Sequence, residues 1–117
     1  MILDAPESVA IIGKDTLVVG EEAHYSCESG ESNPASDVTL VIRDQDGQNV
    51  QATQTKMKKA VADGFVTRSI YSFKIVNRVK ILFMECRAVN QVGMAISDKA
   101  VHILCKFNIN LLHNISC

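Results

Sequence analysis

The chain has 117 residues, and its twelve basic and thirteen acidic side chains leave a formal net charge of −1. That length fits one domain with a single modest core, and a composition of 47% hydrophobic and 21% charged residues excludes a disordered polar chain. The even charge balance gives no drive toward nucleic acid or an anionic membrane surface.

Met1 to Pro6 lacks the basic start and long apolar segment of a secretory leader. The chain therefore works inside the cell or is a piece of something larger. Beyond it, period two dominates and period 3.6 is nearly absent. Pro6 to Gly13 supplies a first strand through Val9 and Ile11. After Gly20, Ala23, Tyr25 and Cys27 point one way, while Glu22, His24 and Ser26 point the other. Ser29 to Ser36 is a loop punctuated by Gly30, Asn33 and Pro34. Asp37 to Arg43 is a strand with Val38, Leu40 and Ile42 on one face, closed by the turn signal Asp44-Gln45-Asp46-Gly47. Asn49 to Lys59 is polar and reads as an edge strand or loop, with Lys56, Lys58 and Lys59 protecting an open edge. From Thr67, the residues Ser69, Tyr71, Phe73 and Ile75 alternate against Arg68, Ser72 and Lys74. From Lys80, Leu82, Met84, Cys86 and Ala88 alternate against Phe83, Glu85 and Arg87. Gln91-Val92-Gly93 is a turn, and a last strand carries Val101 and Ile103.

About seven strands with frequent turns make an all-β sandwich of two antiparallel sheets. No apolar run nears the roughly 18–20 residues of a membrane helix. The final stretch, 105–117, has neither alternation nor turn logic. It reads as an irregular tail, of the kind left by translation past a true exon end.

The four cysteines are Cys27, Cys86, Cys105 and Cys117. No C-x-x-C spacing occurs, so zinc-ribbon and thioredoxin-type chemistry fails. Cys27 and Cys86 lie on the apolar faces of two strands, which favours a disulfide over two buried thiols. Such a bond closes a long loop, worth roughly 4 kcal/mol on the loop-entropy account. Cys105 and Cys117 have no obvious strand partner. The three histidines are scattered, with His24 and His102 outward on strands and His113 in the tail, so no metal site is expected. Asp44-x-Asp46-Gly47 lacks the third ligand and the distal Glu of a calcium loop. No phosphate loop or G-x-S-x-G is present, so neither a cofactor nor catalysis is expected. Asn114-Ile115-Ser116 is the only glycosylation sequon.

The stretch Gly20-Glu21-Glu22-Ala23-His24-Tyr25-Ser26-Cys27 resembles strand B of the immunoglobulin superfamily. Ser32-Asn33-Pro34-Ala35 after Cys27 resembles the C-x-S-x-x-S-N-P-A entry to its strand C. Cys86-Arg87-Ala88-Val89-Asn90-Gln91-Val92-Gly93 resembles the C-x-A-x-N-x-x-G exit from strand F. The resemblance covers residues 6 to about 104, which are taken as an immunoglobulin-like domain with 105–117 as its tail. It points most closely to C2/I-type domains of nephrin-type adhesion receptors, including the insect sticks-and-stones and hibris proteins. Two departures stand out. The chain has no Trp, and Leu40 takes the place of the usual core Trp, so Tyr25, Tyr71, Phe73 and Met84 must pack over the cysteines. Met84 also stands where the family often carries its corner tyrosine.

The resemblance implies a cell–cell adhesion or recognition module in a receptor ectodomain, acting by protein–protein binding or as a spacer. Its implied partners are other immunoglobulin-superfamily adhesion proteins, homophilic or heterophilic. Neither nucleic acid nor direct membrane contact is implied for this segment, whereas a membrane-anchored parent protein is. The alternative is a structural domain of an intracellular muscle or cytoskeletal scaffold. The partner-binding face expected for such a module carries Val41, Arg43, Phe83, Glu85 and Arg87, with Thr39 and His102 beside them.

Overall fold

A computed structural model describes residues 2–107, 115 and 116. Strands β1 (Val9–Ile12), β3 (Glu22–Ser29), β5 (Thr53–Val61) and β6 (Gly64–Lys74) form one sheet in the order β1-β3-β6-β5. Strands β2 (Thr16–Val18), β4 (Asp37–Asp44), β7 (Ile81–Val89) and β8 (Met94–Leu104) form the other in the order β2-β8-β7-β4. The fold is an immunoglobulin-like β-sandwich. Lys106–Phe107 (β9) and Ile115–Ser116 (β10) pair as a short antiparallel ladder. His113, Asn114 of the sequon and Cys117 lie outside the described residues.

Burial follows the alternation along each central strand. In β3, Ala23, Tyr25, Cys27 and Ser29 face in. In β7, Leu82, Met84, Cys86 and Ala88 face in. These residues meet Val38, Leu40 and Ile42 of β4 and Tyr71 and Phe73 of β6 in one core. Cys27 and Cys86 are disulfide-bonded across the two sheets, with Cα atoms 6.0 Å apart and 59 positions between them in sequence. Leu40 lies opposite Cys86 in the β4–β7 ladder. Tyr25 stacks on Phe73, their ring centroids 6.1 Å apart. Cys105 is not a free thiol either.

The single first strand expected from Pro6 to Gly13 is instead the opening half of a divided edge. β1 pairs antiparallel with β3, and after a bend the chain crosses to the second sheet, where β2 runs parallel to β8. The crossing is made at Gly13, where a Cβ would lie 2.3 Å from the Tyr25 ring. The Tyr25 hydroxyl donates to the Lys14 carbonyl. Lys99 Nζ donates to the Gly13 carbonyl at 3.0 Å and pairs with Asp15 at 2.7 Å. Burial pushes the Tyr25 phenol up to about 12, with Asp15 and Glu21 adding to the shift, so it stays a donor. β2 escapes a reading by alternation because it has three residues, of which Leu17 alone is buried.

The polar stretch read as an edge strand or loop is both. Residues 49–52 connect, and β5 is an edge strand paired with β6 along its length. Met84 is fully buried, and Tyr71 of β6 supplies a cross-sheet hydrogen bond: the Leu40 N–H donates to Tyr71 Oη at 2.9 Å. Beside it, Ser69 Oγ donates to the Val38 carbonyl at 2.7 Å.

Replacing Tyr71 by Phe keeps the ring but strands a buried N–H on Leu40, so unfolding in denaturant should register a loss of about 1–3 kcal/mol. Removing both Cys27 and Cys86 by alanine should cost about 2–5 kcal/mol in the same measurement.

Candidate interaction face

The outer surface of the β4-β7-β8 sheet is built by alternation. With Val38, Leu40 and Ile42 pinned inside, Thr39, Val41 and Arg43 point out. With Cys86 tied to Cys27, Phe83, Glu85 and Arg87 point out from β7. The ladders then set these residues in rows. Arg43, Phe83 and Ala100 form one row, Val41, Glu85 and Asp98 the next, and Thr39, Arg87 and Ile96 the third. Val41, Arg43, Phe83, Glu85 and Arg87 line one shallow depression together with Asp98, Lys99 and Ala100.

Phe83 is 51% exposed at the centre, which is unusual for a large aromatic ring. Arg43 Nε donates to Asn49 Oδ1 at 3.3 Å, and Arg87 Nε pairs with Glu85 at 2.7 Å. Both partners of that pair are well exposed, so it orients the side chains more than it stabilises the fold. Glu85 and Asp98 stand opposite one another on neighbouring strands. Among the described residues Asp98 has no ion-pair partner. Two carboxylates side by side, flanked by Arg43 and Arg87 around a bare ring, make an apolar centre with a polar rim.

Sequence reasoning missed the β8 contribution to this depression. His102 points outward on the same side of β8 as expected, two rows beyond Asp98 and opposite Ile81, outside the depression itself. Sequence reasoning also missed an apolar continuation toward the β7–β8 turn, where Val89, Met94 and Ile96 are 41%, 52% and 49% exposed. The turn at Gln91-Val92-Gly93 and strict pairing back from it were the available signal. The core residues Tyr25, Leu40, Tyr71, Phe73 and Met84 are all buried behind this sheet and its partner.

Below the face, the Asp44 side chain is fully buried at the end of β4. Its carboxylate accepts from Arg78 Nη1 at 2.6 Å and from the N–H groups of Asp46 and Gln48 at 2.9 and 3.0 Å. The Arg78 guanidinium, aided by the two turn N–H groups, holds the acid below its ordinary value of 3.8 against the opposing effect of burial. Gly47 completes the turn with a φ of 78°. Among the described residues no group of three or more His, Cys, Asp or Glu is placed to hold a metal ion.

No protein-family model and no curated protein sequence matches the chain. Solved structures do. The full ectodomain (Ig1–Ig3) of mouse nectin-like molecule 4 superposes with a TM-score of 0.62 at 16% identity, covering 88% of this chain and 35% of that one. Rst D1–D2 superposes with a TM-score of 0.62 at 14% identity, covering 84% of this chain and 48% of that one. This chain thus spans about a third and about half of the two proteins. At such identities the likeness is one of fold.

The depressed Asp44 acid stabilises the fold fully above its ordinary value and loses that contribution as pH falls through the lower folded value. Thermal unfolding followed from pH 5 downward should therefore show a loss of stability below about pH 4. Asp44→Asn should abolish that part of the pH dependence.

Proposed function

We propose that residues 6–104 are one immunoglobulin-like module of a nephrin-like cell-adhesion receptor. In this reading it lies in the extracellular part of a membrane-anchored protein and binds another immunoglobulin-superfamily adhesion protein through the β4-β7-β8 face. The observation that carries the reading is the Cys27–Cys86 disulfide, buried between the sheets. Disulfides of this kind form and persist in oxidising compartments and are rare in the cytosol. The mouse nectin-like molecule 4 ectodomain has the same fold in an extracellular setting, which supports the reading. The exposed Phe83, ringed by Arg43, Glu85 and Arg87, supplies an anchor with a charged rim. Residues 105–117 stand outside the module as its tail, and no residue is assigned a catalytic role.

The test has two parts. Protein taken from its native source, unfolded in denaturant and alkylated without reduction should leave Cys27 and Cys86 unmodified. Full alkylation of both would sink the receptor reading in favour of a structural domain in an intracellular scaffold. Displayed on otherwise non-adherent cells, the module should cluster them or capture a second immunoglobulin-type protein. Phe83→Asp should weaken that capture by about tenfold or more while lowering stability by no more than about 1–2 kcal/mol, leaving the module folded. Capture that is indifferent to Phe83, Glu85 and Arg87 would rule out this face.

A further inference from the structure

The two sheets end differently on the side away from β1 and β2. β4 is the edge of its sheet, yet its backbone is already engaged. Tyr71 Oη and Ser69 Oγ reach the Leu40 N–H and the Val38 carbonyl from the other sheet. Farther along, the Val50 N–H donates to the Ile42 carbonyl and the Asp44 N–H to the Gln48 carbonyl, each at 2.9 Å. The opposite edges, β1 and β2, are four and three residues long, too short to template much of a strand.

β5 has neither an engaged outer backbone nor a short length, and only its lysines guard it. It runs nine residues, about 30 Å, and every residue but Val61 is exposed. It pairs with β6 from Thr53 to Val61 without a break, and no Pro or Gly interrupts it. Among the described residues no backbone hydrogen bond closes its far edge. A row of open N–H and C=O groups of this length is a template for another strand.

Charge decides which strand fits. The register puts Lys56 and Lys58 on the same side as Ser69 and Thr67, and Met57 and Lys59 on the other side with Arg68 and Val66. Both faces of the edge are therefore cationic. Lys56 pairs with Asp37 at 3.0 Å and Lys58 sits 5.1 Å over the Phe65 ring. Lys59 has no ion-pair partner among the described residues. A second copy is a poor occupant. Antiparallel pairing about Met57 sets Lys56 against Lys58, and like charges directly opposite destabilise a ladder. A neutral strand leaves the lysines unmatched. We propose that the β5 edge accepts an extended acidic segment of another protein by strand addition, with backbone bonds giving affinity and Lys56, Lys58 and Lys59 giving selectivity. This surface lies on a different sheet from the proposed adhesion face and does not depend on that reading.

The probe is a synthetic peptide of about nine residues alternating Glu with Thr and Val, with a Gln-for-Glu peptide as its neutral control. Added to the full chain, the acidic peptide should slow hydrogen exchange at alternate β5 amides by about tenfold or more. The Gln peptide should bind at least about tenfold more weakly. The variant K56E/K58E/K59E should lose the Glu peptide and gain a Lys-for-Glu version of it. Met57→Pro should weaken binding with the β4-β7-β8 amides unchanged. If the triple variant does not fold, the salt dependence of the wild-type affinity decides: a fall with salt supports the proposal and indifference overturns it. Equal binding of the Glu and Gln peptides, protection confined to β4, β7 or β8, or dimerisation of the chain through β5 would each overturn it.

Discussion

The covalent tie between β3 and β7 is the constraint on which the rest of the molecule leans. It joins strands from different sheets across 59 positions of sequence, so it fixes how the two layers face each other. Once Cys27 and Cys86 are inward, period two leaves no choice for their neighbours: Tyr25 and Met84 go in, Phe83, Glu85 and Arg87 go out. The candidate face and the core are thus two readings of one phase. A chain without Trp has less aromatic volume to lock that phase, and the disulfide together with the stacked Tyr25 and Phe73 takes over the task.

Polar atoms inside the sandwich do structural work that apolar packing cannot. Tyr71 and Ser69 each contribute body to the core while their hydroxyls reach across to the β4 backbone. Asp44 is buried as an anion because Arg78 and two turn N–H groups meet it. These contacts close the β4 edge and hold the turn below the face. They explain why the surface between β4 and β8 can carry a bare aromatic ring without that sheet being open to unwanted pairing at β4.

Much of this was legible in the sequence, for a physical reason. Strands buried on one face and wetted on the other write their orientation into every second residue, as in β3, β4, β6 and β7. The outward set Val41, Arg43, Phe83, Glu85 and Arg87 follows from the same rule. What escaped lacks that signature. β2 is too short to alternate, and its place beside β8 is set by the crossing at Gly13, which depends on where the Tyr25 ring lies. Asp98 and Ala100 join the face through register, which the pattern of a single strand does not contain. The cross-sheet role of Tyr71 depends on a hydroxyl meeting a backbone group distant in sequence. The burial of Asp44 depends on Arg78 in the same way.

The divided first edge also sets how the module would bear a load. β2 runs parallel to β8, and Thr16, Leu17 and Val18 lie alongside His102, Ile103 and Leu104. Tension applied between the two ends of the sandwich pulls these strands in opposite directions along their length. The bonds between them are then sheared together rather than peeled one by one. The antiparallel hairpin of β7 and β8 would unzip only if its two open ends were pulled apart, and an end-to-end pull loads β8 alone, along its length. A three-residue strand that adds little to the core is therefore placed where it opposes extension of the sandwich along its length.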